Sequence, residues 1–397
     1  MPVLPTDPEI IVTCLKRRFT GVSGTISALL PVQARRFALG YVGVDLPGSQ
    51  AAARESPACF RPLLLWQAMA LSMRRIGDGR RRIWHVRRNH EMLLAIVLRD
   101  LLRLPIRVLF TSAAIRRHSA LPRWLIGRMD GVIATTPAAA RCLDQGAANQ
   151  VATIQGHGVD TARFVPPPSR AAAWAASGLP GHYGVGVFGR VRAEKGIHIF
   201  VAAMLELLPD FPQWTAVIGG LCQPEDRAFA EQLKAQAAAA GLAERIVWLG
   251  EIDAAAMPQW YQRMTVTVAC PLYEGYGLTP IEAMASGSAV VASRTGAFAE
   301  MVEAGASGEL VAVGDAPALA AALRPLLADP EAAEAMGRVG RERAQRHFSI
   351  DSEAAGIAAV YQRLWAADAR GGNIGAGGAE ASNAGNGAGK RDLGGGA

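Results

Sequence analysis

The sequence predicts an α/β protein of two domains, each built on a doubly wound parallel sheet, and three observations predict it. Its 397 residues exceed what one hydrophobic core usually serves, and half of them are apolar, enough for two cores. Short β-branched apolar runs alternate with helical stretches through both halves, the rhythm of βαβ units whose sheets are covered on both faces. Between the halves stands Pro166-Pro167-Pro168, which continues neither a helix nor a strand and so marks a linker.

The elements follow in order. Residues 9–14, EIIVTC, read as a first strand, followed by a glycine-containing loop over 16–24 and a helix from about Thr25. Apolar segments at 106–110 and 131–136 continue the alternation, which gives a first domain over 1–165 and a linker over 166–182. The second domain, 183–345, repeats the pattern with strands at 184–188, 215–219, 245–250 and 265–270 and helices from Ile197 and over about 225–240. A helical segment over 346–368 comes next. The remainder, 369–397, is expected to be a disordered tail: residues 371–397 hold 11 Gly among 27 and no aromatic, too little apolar surface to offset the entropy of ordering.

Composition narrows the function classes. No run of about 18 uninterrupted apolar residues occurs, and the start of the chain, with Asp7 and Glu9, lacks a signal-peptide layout, so a cytoplasmic location is expected. Five scattered cysteines, Cys14, Cys59, Cys142, Cys222 and Cys270, support neither a disulfide framework nor a zinc site. Charge is unevenly placed. Residues 1–165 carry 23 Arg and Lys against 10 Asp and Glu, and the rest carries 18 against 24. The pairs and triplets Arg35-Arg36, Arg74-Arg75, Arg80-Arg81-Arg82, Arg87-Arg88 and Arg116-Arg117 suit an anionic membrane or an acidic lipid headgroup. No zinc-finger, RRM or KH pattern accompanies them, so a nucleic-acid partner is not expected.

The chemistry is expected around Glu274 and Glu282. A strand ends at Cys270, a glycine-broken loop follows, and Thr279-Pro280-Ile281-Glu282 reads as a helix start with Thr279 at the cap and Glu282 placed for a reciprocal capping bond. The N–H groups of Gly277, Leu278 and Thr279 would then face an anion, and both carboxylates would border one pocket and hold hydroxyl groups. For Glu282 a plain capping box is an equal alternative. Arg190 follows the strand 184–188 at its carboxyl end, where ligands sit in open α/β sheets, and Lys195 lies in the same loop. Gly184-x-Gly186-x-x-Gly189 matches a dinucleotide fingerprint by letter, but its glycines fall inside the strand rather than in the turn after it, so no nicotinamide or flavin site is expected.

The segment EGYGLTPIEAMASG, followed by SAVVAS and RTGAFAEMV, resembles the donor-sugar signature of retaining glycosyltransferases of family 4. GVFGRVRAEKG, GHGVDTARFVPP and DGVIATTPAAARCL agree in order and spacing, and the likeness covers about residues 9–365. Within that family KRRFTGVSGTI, IWHVRRNHEM and VLFTSAAIRRHS resemble lipopolysaccharide-core mannosyltransferases that act on Kdo-containing lipid A precursors. The resemblance implies the GT-B fold, two Rossmann-like domains facing a central cleft, with the last helix crossing back onto the first domain. It implies a nucleotide-sugar donor, GDP-mannose foremost and a UDP-hexose as the alternative, a lipid-linked anionic glycan acceptor, and a peripheral place on the inner face of the inner membrane. Asp-x-Asp, the metal clamp of the other main glycosyltransferase fold, is absent, so neither metal nor other cofactor is expected.

Site roles follow from the same resemblance. Glu274 would contact the donor sugar, Arg190 and Lys195 the diphosphate, Glu282 the ribose, and Gly250-Glu251-Ile252 the base. Gly21 to Gly24 would close over the diphosphate and acceptor, with a merely structural strand-to-helix turn as an equal alternative. The family often has T-x-H after a first-domain strand, whereas this chain has Thr111-Ser112-Ala113. His85, Arg116, Arg117 and His118 are the candidates to contact donor sugar or acceptor in its place. The rival classes are a non-catalytic binder with the same fold and a nucleic-acid binder driven by the basic first half.

Overall fold

The computed structural model describes residues 7–16, 20–143 and 151–369. They form two parallel sheets. The first runs β3-β2-β1-β4-β5-β6-β7, from β1 (Ile10–Cys14), β2 (Leu39–Gly43), β3 (Phe60–Pro62), β4 (Arg82–Val86), β5 (Ile106–Ser112), β6 (Gly131–Ala134) and β7 (Val151–Ile154). The second runs β10-β9-β8-β11-β12-β13, from β8 (Tyr183–Phe188), β9 (Trp214–Gly219), β10 (Ile246–Gly250), β11 (Met264–Ala269), β12 (Ala289–Ser293) and β13 (Glu309–Val311). Each sheet reverses its strand order once, between β1 and β4 and between β8 and β11. The loops beyond the carboxyl ends at such a reversal diverge to opposite faces and leave a crevice between them.

Helices cover both faces of the first sheet. Gly21–Ala34, Pro47–Glu55 and Ile350–Ala369 pack over one core cluster, and Leu65–Ser72, Asn89–Ile96 and Ala120–Gly127 over the other. The helix Ile350–Ala369 therefore belongs to the first sheet by packing: Tyr361, Leu364 and Trp365 share a core with Ile10, Ile83 and Leu109. The chain is pinned where it returns. Val159 N–H donates to Phe348 at 2.8 Å, Ile350 N–H to Val159 at 2.9 Å, and the buried Glu353 carboxylate takes Gly158 N–H at 2.7 Å and His157 Nδ1 at 2.8 Å. Among the described residues no helix is long and apolar enough to cross a membrane.

Some local expectations change. The first helix begins at Gly21, not near Thr25, because Thr20 Oγ1 accepts from Ser23 N–H and supplies the cap. Short strands β2, β3, β7 and β13 escaped the periodicity; β2 carries two glycines and β3 ends on Pro62 at the sheet edge, where a missing donor does no harm. Gly184 and Gly186 are packing positions: a Cβ on either would fall 2.5–2.6 Å from Trp174 or Met264. The expected tail, apart from Ala369, and residues 17–19 of the expected loop lie outside the described residues.

The arginine clusters separate into two kinds. Arg35 pairs with Glu55, Arg80 with Glu9 and Asp78, and Arg82, wholly buried, donates to Pro8, Leu71 and Asp7. Arg80 and Arg82 are thus tied into the fold and Arg35 into a surface ion pair, which leaves these positions out of the arginines expected to meet an outside anion.

Replacing Glu353 by Ala would leave His157 and the Gly158 N–H buried without partners and should destabilise the protein by about 3–5 kcal/mol. Glu331→Ala, on an exposed helix turn, should change it by less than about 0.5 kcal/mol. Thermal melting of the two variants against the parent checks this; equal melting temperatures would remove Glu353 as the fastening point.

Candidate active site at the sheet reversals

The second reversal places two loops side by side. After β8 the chain runs through Arg190 to the short 3-10 turn Ala193–Lys195, and after β11 it runs through Pro271 to Glu274. Gly196 fastens them. It holds φ +72, and a Cβ there would sit 1.9 Å from the Cys270 carbonyl oxygen, so only glycine permits this approach. Leu272 N–H donates to Glu194 at 2.9 Å. The result is a Lys195 Nζ–Glu274 Oε2 ion pair of 2.6 Å, both side chains partly exposed. The partly exposed Arg190 guanidinium, at the end of β8, has no protein partner among the described residues.

Glu274 leads into Gly277, whose φ is +78 and whose absent side chain leaves room for Phe298 and Glu274. The helix Thr279–Ala285 begins one residue earlier than a Thr279 cap would require: Leu278 is the cap residue, and no side chain caps this end. The N–H groups of Gly277, Leu278 and Thr279 have no acceptor among the described residues. Glu282 does not close a capping box. Its carboxylate accepts from the Tyr261 hydroxyl at 2.9 Å, which makes Tyr261 a partner that the sequence reading missed. Burial raises the Glu282 carboxyl above the usual range, against the lowering effects of the Tyr261 bond and of Arg163. Arg163 also donates to the Ala254 carbonyl, just beyond Gly250-Glu251-Ile252. Gly250 accepts from Gly220 N–H at 2.7 Å and Ile252 lies over Gly219, so these residues edge the same crevice as Arg190.

On the first sheet the predicted residues divide. Gly21 and Gly24 occupy the first turn of a helix rather than a free loop, with Arg88 donating to Thr20 Oγ1 at 2.9 Å and Ser23 Oγ at 3.0 Å beside it. Arg116, Arg117 and His118 line a cavity of about 490 Å³ together with Arg87 and Ala113. Burial and the Arg116 charge lower the His118 pKa. His85 is corrected to a core residue. It is 1% exposed, and its ring nitrogens meet the Tyr361 hydroxyl and Thr111 Oγ1 at 2.7 Å each, so it presents nothing to the cleft. One lining residue of the cavity approaches the second domain: the Ala113 carbonyl lies against Gly275, next to Glu274. Arg87 escaped attention as an individual, although it directly follows β4, much as Arg190 comes one residue beyond the end of β8.

The family model described as glycosyl transferases group 1 matches residues 180–343. The chain is 45% identical over 359 residues to the lipopolysaccharide core biosynthesis mannosyltransferase LpcC of Rhizobium leguminosarum bv. viciae, covering 90% of this chain and 97% of that one. It is 42% identical over 364 residues to the lipopolysaccharide core biosynthesis mannosyltransferase LpsB of Rhizobium meliloti, covering 90% and 98%. Among solved structures, Anabaena HepE in complex with UDP and glucose aligns with a TM-score of 0.74 over 90% of this chain and 100% of that one; at 18% identity this is a likeness of fold. Sucrose-phosphate synthase from Thermosynechococcus elongatus aligns with a TM-score of 0.71 at 22% identity, over 90% and 99%. With two reversed parallel sheets and near full-length identity of this degree, the chain belongs to the group 1 glycosyltransferases and is a glycosyltransferase of the GT-B fold.

Proposed function

We propose that this glycosyltransferase moves mannose from GDP-mannose, with retention at the anomeric carbon, to a Kdo-lipid A acceptor of the lipopolysaccharide core. The observation that carries the reading is the Lys195–Glu274 pair at the second reversal, where Arg190, in the same loop as Lys195, has no side-chain partner among the described residues, in a chain 45% identical to a protein named for mannosyl transfer in that core. The diphosphate lies against Arg190, Lys195 and the open N–H groups of Gly277, Leu278 and Thr279. As the donor enters, Lys195 turns part of its interaction from Glu274 to a phosphate oxygen, and Glu274 takes up sugar hydroxyls. Glu282 holds the ribose, and Gly250, Glu251 and Ile252 form the shelf for the base.

In this reading the bond from the anomeric carbon to the phosphate oxygen breaks, the acceptor oxygen bonds to the same face, and its proton passes to the leaving phosphate. Arg190 and Lys195 neutralise the charge that grows on the leaving group, the preorganised electrostatic part of catalysis. They supply the charge without a metal or other cofactor. Closure of the two sheets over the cleft excludes water that would hydrolyse the donor.

A place on the cytoplasmic face of the inner membrane, peripheral and bound to anionic lipid, is supported by one layer of the first domain. The helices Leu65–Ser72, Asn89–Ile96 and Ala120–Gly127 bury one side on the sheet, while Trp66, Met73, Leu93, Leu101, Leu121 and Trp124 on and beside them are exposed. Exposed Arg74, Arg75, Arg103 and Arg128 stand among these side chains. Aromatic and aliphatic groups interspersed with arginine match the boundary between anionic headgroups and acyl chains.

GDP at about 100 times its dissociation constant should stabilise the protein by about 2.7 kcal/mol in a thermal-shift assay and exceed UDP and ADP, while Lys195→Ala and Glu274→Gln each lower kcat about 100- to 1,000-fold with melting unchanged. A preference for UDP overturns the donor, and full turnover in either variant overturns the site.

Because Glu282 has a raised folded-state pKa, holding it ionised costs stability that grows as pH rises from the ordinary carboxyl range, about pH 4.3, through the raised value. Glu282→Gln should therefore raise the melting temperature at neutral pH, lose that advantage near pH 4, and weaken nucleotide binding; unchanged nucleotide affinity would remove the ribose role. Sedimentation with vesicles containing phosphatidylglycerol should be strong for the parent and weak for Trp66→Ser combined with Leu101→Ser, with melting preserved. Equal sedimentation would exclude this face as the membrane contact.

A further inference from the structure

The side chain of Arg87 is anomalous among the buried arginines. It emerges just after β4, at the reversal of the first sheet, and is 8% exposed. Its Nη1 donates to Thr25 Oγ1 at 3.1 Å, while its Nε is enclosed without an acceptor. No carboxylate among the described residues pairs with its guanidinium. Glu91, near in sequence, is occupied by the main-chain N–H groups of Leu15 and Arg87 and by Arg88. Arg82 and Arg107, equally buried, are matched by Asp7 and by Asp130 and Asp368. Against its burial Arg87 has only the through-space fields of Glu353 and Glu91, neither bonded to its guanidinium, a partial compensation for a desolvated cation, so the position makes physical sense when an anion completes it.

The surroundings supply the place for that anion. Arg87 lines the cavity of about 490 Å³ together with Arg116, Arg117 and His118, and no acidic side chain lines it. The volume suits a sugar-sized group. Ala113, on the same wall, has its carbonyl against Gly275, the neighbour of Glu274, so a group held in the cavity stands beside the donor end of the cleft. With Nη1 engaged by Thr25, Nε and Nη2 of Arg87 have no acceptor among the described residues, and a turn of the side chain into the cavity would present two parallel N–H donors on one plane to two oxygens of a carboxylate or phosphate.

We infer that this cavity is the seat for an acidic group of the acceptor, a sugar carboxylate or a sugar phosphate, and that Arg87 is the residue that grips it; the inference rests on the glycosyl-transfer reading above. Arg116 and Arg117 draw the anion in from solvent, and Arg87 fixes its orientation. The seat selects acceptors by charge and leaves donor binding to the second domain.

The experiment uses the full chain as parent, Arg87→Met and Arg87→Lys, with an acceptor bearing free Kdo, its carboxyl methyl ester, and inorganic phosphate as competitor. In the parent the ester should raise the acceptor KM about 10- to 100-fold, in Arg87→Met acid and ester should converge, and Arg87→Lys, which keeps charge but not the fork, should fall between. If esterification has no effect but inorganic phosphate competes with acceptor in the parent and not in Arg87→Met, the gripped group is the phosphate. The thermal shift given by the nucleotide that stabilises the parent certifies that each variant is folded. An unchanged acceptor KM in Arg87→Met overturns the inference, as does a loss of that shift as large as in Lys195→Ala, which would assign Arg87 to the donor. Should the parent transfer no sugar, the glycosyl-transfer reading falls on its own, and calorimetric titration of Kdo and of phosphate still decides the seat: binding to the parent but not to Arg87→Met supports it, and binding to neither overturns it.

Discussion

Everything catalytic in this molecule depends on one constraint, that a parallel sheet whose strand order reverses must open a crevice where the two outgoing loops part. The chain meets that constraint twice, between β1 and β4 and between β8 and β11. At the second reversal the crevice is held by backbone. Gly196 against the Cys270 carbonyl fixes the separation of the two loops, and the Lys195–Glu274 pair is a consequence of that separation. A partly exposed ion pair contributes little to stability. In the proposed mechanism its importance is that a cation and a carboxylate stand at fixed positions from which they are redistributed over an incoming diphosphate and sugar.

The basic first half illustrates how the same residue type serves opposed ends. Arg35, Arg80 and Arg82 are consumed by carboxylates and carbonyls and stiffen the fold. Arg87, Arg116 and Arg117 instead gather around a cavity without an acid on its wall. A count of charges cannot separate these classes, since the sorting is made by which carboxylates tertiary packing brings near. A similar division holds for histidine, where His85 is closed off between Tyr361 and Thr111 while His118 lines the cavity.

The two halves are joined by return of the chain. The helix Ile350–Ala369 completes the first core, and Glu353 ties it to the 156–159 segment from which the second domain departs. Tyr276, in the loop after Glu274, donates from its hydroxyl to the His157 carbonyl at 2.7 Å. The junction is therefore two residues from a candidate catalytic carboxylate. Glu282 adds a local tension, since burial pushes its carboxyl above the usual range while the Tyr261 hydroxyl donates to it. Functional groups kept at a cost to stability are the usual mark of a site that a ligand completes.

By itself the sequence determined the two-domain α/β class, the central strands β1, β5, β8, β9 and β11, and the loop carrying Glu274 and Glu282, because buried parallel strands are unbroken apolar runs and breaks in them are local signals. Arg190 and Lys195 were legible for the same reason, as cations next to a strand end. Short strands with little apolar signal, the earlier start of the first helix and the Tyr261 bond to Glu282 were not, since each is settled by partners distant in sequence. Only the tertiary structure decided that His85 is core, that Lys195 reaches Glu274 across 79 positions, and that Arg87 is buried with no carboxylate bonded to its guanidinium among the described residues. Those facts are matters of which side chains meet, and pairing across a fold is fixed by packing rather than by the order of residues along the chain.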